Sequence, residues 1–142
     1  MEKTKIFVNI LPTDAVKIRT EVFVVEQGFK EEFDTVDNNC VHFLYYVDDK
    51  AIGVARIYNS LEHNMLSIGR FAILKEYRQK GYGRKLYESM ERFILDKYGP
   101  TKVGLSSQDR AIKFYEALGF KQVGEPYLDE NYPHIWMEKV IK

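Results

Sequence analysis

The run Arg78-Gln79-Lys80-Gly81-Tyr82-Gly83-Arg84 constrains this chain more than any other stretch, because it joins an apolar strand, Ile68 to Leu74, to an amphipathic helix carrying Leu86, Met90, Phe93 and Ile94. A strand that passes through a glycine-rich turn into a helix start exposes backbone N–H groups with no partner in the helix. They lie at the positive end of the macrodipole, and successive amides in a tight turn can surround a phosphate oxygen. Gly81 and Gly83 let that backbone approach a ligand closely. Five cations (Lys75, Arg78, Lys80, Arg84, Lys85) and one anion, Glu76, lie between Lys75 and Lys85, whereas the whole chain balances 21 Lys and Arg against 21 Asp and Glu. Positive charge is concentrated where a phosphate would sit.

The spacing sorts the phosphate ligands. A nucleoside triphosphate loop needs GxxxxGK followed by Ser or Thr, which is absent, and a dinucleotide fingerprint needs a third glycine where this chain has Leu86. What remains is RxxGxG after a strand. Downstream, the segment Leu105 to Phe120 carries Gln108, the pair Phe114-Tyr115, and Leu118-Gly119-Phe120. These two segments, in this order, resemble the signature of the GNAT N-acetyltransferases. Val22 to Gly28 and the tail with His134 look like the small bacterial branch of uncharacterised members, so the resemblance covers most of the chain.

The resemblance implies a donor, acetyl-CoA, with its pyrophosphate held by backbone amides of Arg78, Gln79, Lys80, Gly81, Tyr82, Gly83 and Arg84. It implies a fold of mixed α/β (α+β) type: a mostly antiparallel sheet of six to seven strands, helices on both faces, and a splayed pair of central strands. In this chain those two would be Met65 to Leu74 and Thr101 to Ser106. The pantetheine arm would bond to the exposed edge at Phe71, Ala72 and Ile73, and Gln108 would contact the CoA arm where many members have Asn. It also leaves room for a homodimer, since dimers are common in the family.

The element order read from the residues agrees. Lys5 to Ile10 reads as a strand, and Ala15, Ile18, Val22 and Val25 recur at helical spacing up to Gly28. Phe29 to Asn39 reads as an acidic loop, and His42 to Val47 with Ala51 to Tyr58 as a hairpin turning at Asp48-Asp49-Lys50. A third strand, Met65 to Leu74, precedes the phosphate turn and a helix from Gly83 to Tyr98. Then come a strand (Thr101 to Ser106), a helix (Asp109 to Leu118, closed by Gly119) and strands at Phe120 to Gly124 and His134 to Val140.

Bulk numbers narrow the classes. A chain of 142 residues with 45% apolar content builds one core of ordinary size, so residues 1–142 are expected to form a single N-acetyltransferase domain. Zero formal net charge argues against nucleic acid as a partner. No run of about eighteen apolar residues and no charged leader before an apolar stretch argue against a membrane partner. The single cysteine, Cys40, cannot form an internal disulfide. The expectation is a soluble, cytoplasmic protein, and no His/Cys/Asp spacing reads as a metal site.

Acetyl transfer to an amine needs a deprotonated nitrogen, stabilisation of the developing oxyanion, and a proton for the departing thiolate. A phenol with pKa near 10 stays protonated at neutral pH, and the resemblance places Tyr115 beside the sulfur. As one of ten tyrosines it could equally pack beside Ile112 and Leu118. Backbone amides near Phe71 to Ile73 would polarise the carbonyl. For the base, Glu26, Asp37, Glu125, His42 and His134 all qualify by residue type; Glu26 and His134 lie in the segments that match the bacterial branch.

Five carboxylates between Glu26 and Asp37 would favour a cationic acceptor if they lay over the cleft, or they form a solvated loop. Tyr127, Tyr132 and Trp136 would wall the acceptor site or simply pack. The resulting expectation is transfer from acetyl-CoA to a primary amine of a small molecule, by direct attack in a ternary complex. The alternative is a CoA-binding regulatory module without turnover.

Overall fold

In a computed structural model that describes residues 1–30 and 32–142, seven strands form one sheet: β1 (Glu2–Val8), β2 (Val41–Val47), β3 (Lys50–Ser60), β4 (Met65–Ile73), β5 (Thr101–Gln108), β6 (Lys121–Asp129) and β7 (Tyr132–Ile141). Their order across the sheet is β1-β2-β3-β4-β5-β7-β6, antiparallel throughout except for the parallel β4–β5 pair. The β2–β3 hairpin turns on Asp48 and Asp49, both with positive φ (49° and 67°), as a tight two-residue turn requires.

Alternation along β2 sends its side chains to both faces. Phe43 and Tyr45 meet Phe93 and Tyr82 of α2 (Tyr82–Tyr98), and Tyr46 donates to Asp14 of α1 (Thr13–Arg19). Helices therefore cover both faces, which is why almost all of β2 is buried. Leu86, Met90 and Ile94 of α2 are fully buried, each worth about 1.5–3 kcal/mol in removed apolar surface. The third helix, α3 (Ile112–Ala117), follows a single 3₁₀ turn (Asp109–Ala111) and packs Tyr115 against Phe71 and Phe120.

Beyond Arg19 the first helix widens. Residues Thr20–Glu26 make i→i+5 bonds, for example Gln27 N–H to Val22 C=O at 3.1 Å, before Gly28 ends the segment at φ 79°. The strand at Lys5 to Ile10 is found earlier, as β1, because Asn9 turns out of it at φ 61°. The strand at Phe120 to Gly124 is longer as β6, running past a register shift to Asp129.

The expected acidic loop is found as irregular chain over the described residues up to Asp34, but its acidic side chains are not free. Its Glu32 and Asp37 are buried, and Thr35–Asn38 is a 3₁₀ turn with a reciprocal Asp34–Asp37 capping box. Arg19 and Arg56 reach in from α1 and β3 and pair with Glu32, Asp34 and Asp37, so these three carboxylates are not a free negative field. Glu31 lies outside the described residues.

Candidate active site

The sheet parts between β4 and β5. Their parallel pairing covers only Leu66–Val103, Ser67–Gly104 and Ile68–Leu105, after which the strands separate. At the parting point β4 bulges: Ala55 of β3 stands opposite both Arg70 and Phe71, and Arg70 adopts φ 50°. Beyond it Leu74 N–H bonds to Ile52 C=O at 2.9 Å, towards β3. Alternation along the strand therefore turns the N–H and C=O of Ile73 to the open side, and those of Phe71 likewise. The Ile73 carbonyl lies on that side, where it accepts from Arg78 Nε at 2.8 Å.

A cleft of about 990 Å³ occupies the opening. Phe71, Ala72 and Ile73 line it from β4, and Arg78, Gln79, Gly81, Tyr82, Gly83 and Arg84 from the turn into α2. Gln108 at the end of β5, Tyr115 of α3 and His134 of β7 complete the expected residues found there. Lys80 and Glu26 are not among the lining residues. Lys80 points over the Tyr77 ring, and Glu26 forms a bidentate pair with Arg78 (2.7 and 2.8 Å).

The turn is built as the glycines require, but for two different reasons. Gly81 takes φ 84°, a conformation that a side chain would strain, while nothing crowds its Cβ position. At Gly83 a Cβ would lie 3.1 and 3.2 Å from the Phe114 ring, so the helix start is pressed against α3. Among the described residues no side chain caps α2, so its first N–H groups face the cleft mouth unpaired by the helix.

Tyr115 is buried, and its hydroxyl has no hydrogen-bond partner among the described residues. Burial pushes its pKa well above the usual phenol value, which keeps the proton in place. His134 Nδ1 lies 2.8 Å from the Tyr132 carbonyl. A carbonyl only accepts, so Nδ1 carries the proton and Nε2 keeps a free lone pair.

The other candidate bases lie elsewhere. The Arg78 hydrogen bond holds the Glu26 carboxyl below its ordinary range. His42 is fully buried with Nε2 on the Asp37 carbonyl (2.8 Å), and burial lowers its pKa. Asp37 is pushed up by burial, but the Arg19 hydrogen bond and the charges of Arg19 and Arg56 outweigh this and bring it to about 2. Glu125 lies on the exposed edge strand. Asp37, Cys40 and His42 sit close enough to suggest a metal cluster, yet the Asp37 carboxylate is taken by two guanidinium groups and burial pushes the Cys40 thiol up to about 11.

Tyr127, Tyr132 and Trp136 pack rather than wall the cleft. Trp136 stacks on His63 with ring centroids 3.5 Å apart and presses on Gly104; Tyr132 packs on Phe29; the Tyr127 hydroxyl pairs with that of Ser106. Sequence reasoning missed Arg56, Arg70 and Phe29, which line the opening together with Glu32 of the acidic segment. Their one signal was charge out of place: Arg56 and Arg70 interrupt otherwise apolar strands.

A mixed sheet split beside an uncapped helix start, with a strand edge open to a cleft and a phenol across it, is the architecture of an acyl-CoA-dependent N-acyltransferase. The chain belongs to the GNAT acetyltransferases: the family model described as "Acetyltransferase (GNAT) domain" matches residues 12–141. The uncharacterised protein YyaT of Bacillus subtilis is 32% identical over 133 residues, covering 90% of this chain and 88% of its own. The crystal structure of Escherichia coli ElaA superposes with TM-score 0.86 at 26% identity, covering 98% of this chain and 99% of that one. An acyl-CoA N-acyltransferase from Pseudomonas aeruginosa gives TM-score 0.86 at 28% identity over the same shares. Membership implies acyl transfer from a CoA thioester to an amine. Among the described residues no helix is long and apolar enough to cross a membrane.

Proposed function

We infer that this protein transfers acetyl from acetyl-CoA to a primary amine of a small molecule, with both substrates bound at once. The observation that carries the reading is continuity: the free edge of β4 at Phe71 and Ile73 leads directly into the uncapped start of α2, and Tyr115 stands across the same cleft. The amides of residues 79–84 would hold the pyrophosphate, Arg84 adding charge at the mouth. The Phe71 and Ile73 amides would bond the pantetheine arm and polarise the thioester carbonyl.

The opening passes through the sheet. Phe71 meets Tyr115 and Phe114 on the α2–α3 side, while Arg56 and Glu32 line the α1 side. Donor and acceptor can therefore meet from opposite faces without a covalent acetyl-enzyme. The amine nitrogen forms the new N–C bond, the C–S bond breaks, and the thiolate takes the Tyr115 proton. The amine's own proton passes to His134 Nε2, directly or through water. Glu26, bound by Arg78, is not assigned to that step. With Glu32, Asp34 and Asp37 paired to arginines, the acidic segment gives no reason to prefer a polyamine over other amines.

Thermal unfolding with acetyl-CoA, free CoA and NADH tests the donor. Ligand at about a hundred times its Kd stabilises by roughly 2.7 kcal/mol, on the order of 5–10 °C for a domain of this size. A shift with both CoA species but not NADH supports the reading, and thiol release against amino acids, amino sugars and polyamines then finds the acceptor. No shift with either CoA species overturns it.

A further inference from the structure

Once β4 and β5 separate after Ile68 and Leu105, no ladder hydrogen bond fixes their spacing, yet a thioester lying between them needs a gap of defined width. Two consecutive residues reach both strands. Glu26 grips Arg78 through two charge-assisted bonds (2.7 and 2.8 Å), and the same guanidinium donates Nε–H to the carbonyl of Ile73, the last residue of β4 (2.8 Å). Gln27 accepts from Nε2 of Gln108, the last residue of β5 (2.8 Å), whose Oε1 in turn accepts from Arg110 Nε (3.0 Å). The contacts run Ile73–Arg78–Glu26–Gln27–Gln108, from one strand end across the opening to the other.

We propose that Glu26 and Gln27 form a strap that sets the width of the split, acting as positioning residues for the acyl-CoA arm; this rests on reading the cleft as a CoA track. The wide helical turn explains how two neighbours serve both strands. An i→i+5 turn accommodates one residue more than an α-turn, and one residue swings the helical register by about 100°. It lies over Thr20–Glu26, immediately before the strap, and brings Glu26 to one strand end and Gln27 to the other. Arg78 thereby has a different task from the one its place in the glycine turn suggests. Its charge is matched by Glu26, so it fixes the turn to the strand, and phosphate binding is left to the backbone amides and Arg84.

The test measures acetyl-CoA affinity by calorimetry and ligand-free unfolding on the same variants. Adenosine diphosphate, which lacks the pantetheine arm, serves as a second probe. Gln27→Ala is expected to weaken acetyl-CoA about 3- to 10-fold, the loss of one well-formed hydrogen bond, while leaving the diphosphate within twofold and the ligand-free midpoint nearly unchanged. Glu26→Gln is expected to weaken both probes, because it frees the turn as well. Glu26→Asp, which still offers Arg78 a carboxylate and leaves the Arg78 bond to Ile73 in place, is expected to keep more of the acetyl-CoA affinity than Glu26→Gln. Affinities within twofold of the original in Gln27→Ala and Glu26→Gln overturn the strap. So does a loss of affinity that only follows a lower ligand-free midpoint and is no smaller in Glu26→Asp than in Glu26→Gln. If the unaltered protein binds no CoA species, the cofactor reading fails first, and that result is distinct from a strap that makes no difference.

Discussion

Where β4 borders the opening, from Gly69 to Ile73, the protein offers backbone amides. Beside the same opening the segment from Glu32 to Asp37 offers guanidinium–carboxylate pairs: Arg19 with Glu32 and Asp37, Arg56 with Asp34 and Asp37, and Arg70 with Glu32. The proposed donor side is assembled from a bulge, a strand edge and a helix start, all local consequences of chain conformation. The proposed acceptor side is assembled from four segments that meet only in the folded protein. A backbone site survives most side-chain changes, whereas a buried ionic site fails when one partner is lost, because the remaining charge stays behind unpaired.

That contrast can be broken in stages. Asp37→Ala removes one of the two carboxylate partners of both Arg19 and Arg56 and should cost about 3 kcal/mol of stability, read as a lower denaturant midpoint, with acetyl-CoA affinity kept in the protein that remains folded. Loss of acetyl-CoA binding in that folded fraction would join the two sides into one unit. Tyr115→Phe should lower kcat by roughly ten- to a thousand-fold, about 1.4–4 kcal/mol of barrier, with CoA affinity nearly unchanged. Unaltered turnover across the pH range would remove the phenol from the reaction.

Acid acts on the paired carboxylates of both sides, Glu26 included, and most directly on Asp37. Asp37 is held at about 2 against an ordinary 3.8, so its contribution, about 2 kcal/mol, is fully present above 3.8 and is lost as pH falls towards 2. Asp34, lowered first by its Arg56 hydrogen bond, adds to that loss. Glu32, raised by burial, runs the other way: its contribution is present at low pH and lost as pH rises, so it does not add to the acid transition. An acid unfolding curve that Asp37→Asn leaves unchanged would contradict this assignment.

On the donor side, Gly83→Ala places a methyl 3.1 Å from the Phe114 ring and should cost about 1–2 kcal/mol, weakening acetyl-CoA by shifting the start of α2; an unchanged Kd would show that α3 yields. The smallest effect is expected from Lys80→Ala, within twofold in Kd, because Lys80 lies over Tyr77 and does not line the cleft. A tenfold loss there would mean that side-chain charge, more than backbone, holds the phosphate.

The donor half was legible because its information is local. RxxGxG after an apolar strand encodes the turn, the positive φ at Gly81 and the uncapped helix in six consecutive residues, and Gln108 and Tyr115 follow at fixed offsets from a strand end and a short helix. The acceptor half was not. Glu26, weighed as a base, is bound by a residue 52 positions away, and the acidic segment read as a loop is neutralised by arginines from α1, β3 and β4.

Periodicity and turn chemistry act between near neighbours, so the sequence by itself determined the element order, the glycine turn and the family. Burial and ion pairing act between residues that only folding brings within 3 Å. The tertiary structure therefore decided which carboxylates are masked, how far β4 and β5 part after Ile68, and that Glu26 and Gln27 span the gap between them.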